Sequence, residues 1–124
     1  MADSIIQKKA FLFAVRIVKL SQYLQKRKEF VISKQVLKSG TSIGANIEEA
    51  LGACSKRDFI AKMTIVYKET RETSFWIKLL KETELLSPSQ SDSLLQDCEE
   101  LSKMSGSIIK TSKQNHPQPP TSNP

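Results

Sequence analysis

The only histidine of the chain, His116, stands in a proline-rich C-terminal stretch, and that scarcity removes several chemistries at once. Nucleophilic catalysis has no imidazole base among the helical segments, and a helical ribonuclease of the toxin type needs an Arg closely followed by His. A di-iron bundle needs Glu-x-x-His, which does not occur. Glycine is also sparse, 4 in 124 residues, and no glycine-rich loop suited to cradling phosphate is present. Aromatics reach only 6% while Leu, Lys, Glu, Gln, Ala and Ile dominate, which favours helices over sheet. The longest apolar run, Ala10 to Val15, is far short of the roughly 20 residues a bilayer span requires. The N-terminus does not resemble a secretory signal, because Arg16 and Lys19 break its apolar stretch, and a cytoplasmic location is expected. The 2 cysteines, Cys54 and Cys98, both fall on apolar stripes, so they are expected as buried free thiols rather than a metal site or a disulfide.

What is present is amphipathic helix, most informatively in Gln35 to Ala53. Val36, Gly40, Ile43, Ile47, Ala50 and Cys54 follow at steps of four and three, which stacks them on one face. Gln35, Ser39, Ser42, Asn46, Glu49 and Ala53 keep the same steps one residue earlier. A row of small and polar groups thus runs beside the apolar row, and its amide and carboxylate need partners on a neighbouring element.

Local signals divide the chain into four helices. The first starts near Asp3 or Ser4, with Ser4 and Gln7 as a capping box, and runs to about Lys28. Its core stripe is Ile6, Ala10, Phe13, Ile17, Leu20 and Leu24. The second follows a link through Ile32, with Ser33 as cap, and ends near Ala53. Ser55 with Asp58 opens the third, whose stripe is Phe59, Met63, Val66, Thr70, Thr73, Ile77 and Leu80, reaching about Leu86. Ser87-Pro88-Ser89-Gln90 is the sharpest boundary: Ser caps, Pro fits the first helical position and Gln can return a bond. The fourth helix turns Leu94, Cys98, Leu101, Ser105 and Ile108 inward. Short links between long helices predict an all-α, antiparallel up-down-up-down four-helix bundle over residues 1–111. The polar, Pro-rich stretch 112–124 has nothing to bury and is expected to be disordered.

Helices one and three carry more apolar surface than one seam uses: Phe11, Val15 and Val18 on the first, Ile65, Trp76 and Leu79 on the third, with Glu69 and Glu72 nearby. Either the core stripe is wide or these residues meet another subunit. Gly40 and Gly44, four apart, point to close backbone approach, since each costs up to about 1 kcal/mol relative to Ala inside a helix.

Charge is segregated. Residues 1–30 hold seven Lys or Arg against two acids, whereas the whole chain has a net charge of +6. At 100° per residue, Lys8, Lys9, Arg16, Lys19, Lys26 and Arg27 fall within an arc of about 100° outside the Phe13 and Ile17 face. Arg57, Lys68, Arg71 and Lys78 share an arc on the third helix. Such strips are either solvated faces or footprints for a polyanion such as RNA or DNA, with Tyr23 available for stacking in the first.

The run QVLKSGTSIGANIEEALGACSKRDFIAKMTIVYKETRETSFWIKLL resembles the four-helix-bundle protein family encoded in intervening sequences of bacterial 23S ribosomal RNA genes. The most specific pieces are Ser42-Ile43-Gly44-Ala45-Asn46-Ile47-Glu48-Glu49-Ala50, then Ser55-Lys56-Arg57-Asp58-Phe59, then Lys68-Glu69-x-Arg71-Glu72. Many members have Pro where this chain has Gly44, and Ala-Glu-Gly where it has Glu48-Glu49-Ala50. The resemblance implies a homopentameric ring with a basic face and a fold shared with the accessory protein of diversity-generating retroelements, which is associated with reverse transcriptase and nucleic acid.

Taken together, the sequence predicts a non-enzymatic oligomeric scaffold with no catalytic residue, metal or cofactor. The expected partners are further copies of itself, nucleic acid on the two basic strips, and a nucleic-acid enzyme such as a reverse transcriptase. The acids Glu48, Glu49, Glu69 and Glu72 only superficially match carboxylate-rich helical pyrophosphohydrolases. Gly40, Gly44, Asn46, Glu49, Glu72 and Trp76 are expected to serve structure or subunit contact, with Asn46 and Glu49 fixing helix register or bridging subunits through Ser, Thr or Arg on neighbours, Arg71 being the candidate counter-charge in a buried pair, and ligand binding the alternative role for the two. The alternative is a protein-binding adaptor with no nucleic-acid contact.

Overall fold

The computed structural model describes residues 2–115, with the side chains of residues 5–114. Four helices account for the regular structure: α1 (Ala2–Lys26), α2 (Phe30–Leu51), α3 (Lys56–Glu82) and α4 (Pro88–Asn115), with no strand among the described residues. None is long and apolar enough to cross a membrane. The Ser55 side chain accepts the Asp58 N–H at 3.0 Å to start α3, and Ser87 accepts the Gln90 N–H at 3.1 Å to start α4. The Ser87 hydroxyl also donates to Gln90 Oε1 at 3.2 Å, so the Gln90 side chain meets the cap's hydroxyl and not its backbone N–H.

Other boundaries differ from expectation. α1 starts ahead of Ser4, whose side chain lies outside those described. It ends at Lys26 because Lys28 takes φ 64. The Lys28 N–H bonds to the Gln25 carbonyl at 2.9 Å and the Glu29 N–H to that of Leu24 at 2.9 Å, the crossed pair of a Schellman turn. α3 stops at Glu82 by the same device, with Glu84 at φ 61, its N–H on the Lys81 carbonyl and the Leu85 N–H on that of Leu80. Ser33 is not the cap of α2. It is already inside the helix and fully buried, where its hydroxyl donates to the Ser21 carbonyl at 3.0 Å and lies 2.7 Å from the Ser21 hydroxyl. Since that bond uses the Ser33 proton, Ser21 supplies the proton between the hydroxyls. Glu29 takes the cap position without a side-chain bond. At the C-terminal end α4 continues to Asn115, past the expected end of the bundle, and 116–124, including His116, lie outside the described residues.

The core is built from the expected stripes. Ile6, Ala10, Phe13, Ile17, Leu20 and Leu24 of α1 meet Val36, Ile43, Ile47 and Ala50 of α2, with Met63, Val66, Ile77 and Leu80 of α3 and Leu94, Cys98 and Leu101 of α4 completing it. Phe59 and Ile108 are only partly buried. The buried hydroxyls are each bonded: Thr73 and Ser39 lie 2.9 Å apart across α2 and α3, and Ser105 donates to the Leu101 carbonyl. The Cys98 thiol donates to the Thr70 carbonyl at 3.0 Å, and burial pushes its pKa up, so it is an inert filler. Cys54 is exposed, contrary to expectation, because α2 has ended at Leu51 and the stripe no longer continues.

Each helix packs against its sequence neighbours, α1 and α4 close the ring with a looser contact, and among the described residues the backbones of the diagonal pairs α1–α3 and α2–α4 do not approach closely. Cross-links fix which ends meet: Gln7 to Glu48 and Ser21 to Ser33, Glu49 to Lys62 and Ser39 to Thr73, Thr70 to Cys98 and Lys81 to Asp92. In each set the residue numbers rise along one helix as they fall along the other.

Candidate nucleic-acid interface

The α1 strip separates into two groups of different availability. Lys9 donates to Glu100 of α4 at 2.9 Å, and Arg16 grips α4 with both terminal nitrogens, bonding Asp97 at 2.6 Å and Ser93 at 3.0 Å. These cations close the loose α1–α4 seam and their charge is already matched. Arg27 lies over the Tyr23 ring, 5.6 Å from its centroid, and donates to its hydroxyl at 3.1 Å. Lys8, Lys19 and Lys26 are exposed and have no carboxylate in ion-pair range among the described residues. Spread over five turns, they form a row about 27 Å long on the outer side of α1. Beside them Phe11 and Leu12 are also exposed, Phe11 at the edge of a shallow groove that Ala14, Thr41, Gly44 and Ala45 also line.

The α3 cations Arg57, Lys68, Arg71 and Lys78 are likewise exposed without an acidic partner in range among the described residues. Arg71 and Lys78 line a groove of about 640 Å³ between α3 and α4, together with Ser74, Phe75 and, from α4, Glu99 and Lys103. Phe75 is 56% exposed, and its ring lies edge-on to Trp76 with centroids 5.0 Å apart. Sequence reasoning named neither Phe75 nor Lys103. The first was legible, since Phe75 stands four residues after Arg71 and three before Lys78 on one face. Lys103 was not, because only packing carries α4 to that side.

Glu49 does not meet Arg71. It is exposed and accepts from Lys62 at 2.7 Å, a bond that raises the Lys62 pKa, and Arg71 faces α4 instead. Within one subunit Glu49 thus forms a surface pair with Lys62. Asn46 bonds within its own helix, donating to the carbonyl and hydroxyl of Ser42 at 2.9 Å. Glu72 accepts from Trp76 Nε1 at 3.1 Å, one turn away. Gly40 is the point of close approach, facing Ile17 of α1, whereas Gly44 lies under the α1–α2 groove. Glu69, half-buried, has its pKa raised by burial and by Glu72, with Lys38 opposing. Among the described residues no group of three or more His, Cys, Asp or Glu side chains could hold a metal ion.

Comparison with known proteins places the fold. No curated protein matches the chain. A crystal structure of a protein of unknown function from the S23 ribosomal protein family of Bacteroides thetaiotaomicron VPI-5482 is 50% identical, with a TM-score of 0.86 over 89% of this chain and 99% of that one. The family described as 23S rRNA-intervening sequence protein matches residues 2–107, nearly all of the described bundle. The chain belongs to the 23S rRNA-intervening sequence protein family.

Proposed function

We propose that this protein is a non-enzymatic, cytoplasmic scaffold that assembles as a homopentameric ring and binds nucleic acid through its basic helix faces, in support of a nucleic-acid enzyme such as a reverse transcriptase. The observation that carries the reading is the row of Lys8, Lys19 and Lys26, exposed and unmatched by acids among the described residues while the neighbouring Lys9 and Arg16 are neutralised. A cation that has a carboxylate at hand contributes little to an external polyanion, whereas an unmatched row releases phosphate counterions on contact. Repetition around a ring multiplies a weak subunit site into a useful one. The opposed numbering of the cross-links supports antiparallel neighbours in an up-down-up-down order.

Assembly is supported by surplus apolar surface on two diagonally placed helices. Phe11, Val15 and Val18 are exposed on α1, Ile65 and Leu79 on α3. Two unlike patches on different sides favour a head-to-tail contact, which closes into a ring when the rotation allows.

Binding of labelled RNA and DNA to the wild type and to a Lys8→Glu, Lys19→Glu, Lys26→Glu variant tests the reading, with sedimentation reporting the oligomer. Affinity should fall with salt at about −0.7 to −0.9 in log–log slope per phosphate neutralised. The variant should bind the polyanion more weakly and keep the ring. Undiminished binding by the variant, salt-independent binding, or none at low salt would overturn the reading, and the last would favour a purely protein-binding adaptor.

A further inference from the structure

We infer that the groove between α3 and α4 is a single-strand site, in which one unpaired base stacks on Phe75 while the phosphates on either side of it meet Arg71 and Lys78. The inference rests on the nucleic-acid reading above and specifies the form of the nucleic acid. Phe75 is the groove's aromatic wall, 56% exposed although helix α4 runs beside it. Leaving that much ring in water is unfavourable, and a flat apolar surface bordered by cations matches the mixed chemistry of a nucleotide.

The spacing fits one nucleoside unit. Arg71 and Lys78 are two turns apart on α3, about 10 Å along the axis, with Phe75 between them on the same side. Their long stems let both heads converge on phosphates flanking a base that rests on the ring. Lys103 adds a third cation from the α4 side. The one acid of the groove, Glu99, lies 3.8 Å from Lys103 in the next turn and is partly neutralised by it, leaving Arg71 and Lys78 unopposed. The Ser74 and Ser102 hydroxyls provide neutral polar groups along the lining.

Duplex is excluded by shape rather than charge. In a double helix the base faces are stacked on each other and only edges and phosphates are presented, so no face reaches Phe75. A stacking platform accepts any unpaired base because every base has a π-face, which makes the site tolerant of sequence.

The experiment uses the full chain and labelled oligonucleotides of ~12 nucleotides, single-stranded or annealed, followed by anisotropy. Trp76, the only tryptophan and in edge contact with Phe75, gives a label-free signal of groove occupancy. The wild type should bind the single strand more tightly than the duplex and change its Trp76 emission on doing so. Phe75→Ala should weaken single-strand binding about tenfold and leave duplex binding and the salt slope unchanged, while Phe75→Tyr retains it. Equal affinity of the wild type for strand and duplex, or a Phe75→Ala variant with undiminished single-strand affinity, would overturn the groove site and leave the nucleic-acid reading standing. Absence of binding to either form would overturn both.

Discussion

The Cβ that Gly40 lacks would lie 2.8 Å from both Cγ1 and Cγ2 of Ile17. Ile17 is fully buried and β-branched within a helix, so it cannot swing aside without leaving its one good rotamer. Gly40→Ala should therefore destabilise the fold by roughly 1–3 kcal/mol, the cost of overpacking, despite Ala's better helix propensity. Gly44, one turn on, would bring its Cβ no nearer than 3.6 Å to Ala10, an ordinary contact. Gly44→Ala should be neutral or stabilising by up to about 1 kcal/mol. Urea unfolding of the two variants checks the contrast, and equal effects would mean that α1 and α2 are not pinned at Gly40.

That contrast also shows how far residues alone can be read. The inward stripes were legible because a 3.6-residue period needs no partner: Ile6 through Leu24, Val36 through Ala50 and Leu94 through Ser105 are buried as spaced. The caps at Ser55 and Ser87 were legible because their bonds close within three residues. Which of two similar glycines lies against Ile17 depends on the crossing of two helices, which spacing does not encode. The same holds for charge. Arg16 and Lys19 look alike on a helical wheel, yet only Arg16 meets α4, through an acid 81 residues away. Helix ends at Lys28 and Glu84 were overrun because the left-handed residue that usually announces a stop is glycine, and here it is not.

Lys28 at φ 64 and Glu84 at φ 61 both occupy the left-handed region with a side chain attached. The steric cost there is about 1 kcal/mol or more, and glycine removes it. Lys28→Gly and Glu84→Gly should each stabilise the protein by about 0.5–1 kcal/mol after glycine's greater unfolded-chain entropy is subtracted. Because the sites are at separate turns the gains should add. A rise in the denaturation midpoint at constant m-value would verify this, and a fall would mean that the Schellman turns are not held in solution.

Arg16, bonded to Asp97 and Ser93, is the principal polar tie across the loosest helix pair. With 38% and 40% of the two charged side chains in solvent, the pair is screened and Arg16→Ala should cost only about 0.5–1 kcal/mol at low salt, less at high salt. Its sharper effect should be local. Amide hydrogen exchange in α4 should quicken around Ser93 and Asp97 while α2 and α3 stay protected. Uniform acceleration across all four helices would show instead that this seam does not open separately.

Cys54 is exposed beyond the end of α2, whereas Cys98 is fully buried and its thiol is held upward in pKa by that burial. A thiol-reactive dye should therefore modify one cysteine in the native protein and two after denaturation. Two fast-reacting thiols in the native state would place Cys98 on the surface and contradict the register of α4.

Glu69 ties stability to pH through a half-buried carboxylate whose pKa is raised, first by burial and then by Glu72, against the pull of Lys38. A folded-state pKa above the unfolded one means that the folded protein holds this proton more tightly. The group's stabilising contribution is then complete at acid pH, below the unfolded carboxylate range, and is lost as pH rises through the raised folded value. Glu69→Gln removes the ionisation and keeps the shape, so it should stabilise the protein at neutral pH and change little in acid. Lys38→Gln should do the opposite at neutral pH, because it withdraws the one cation opposing the shift. Thermal unfolding of both variants across the carboxylate range measures this, and a Glu69→Gln protein that is less stable at neutral pH would reverse the sign and show that the ionised form is the one the fold prefers.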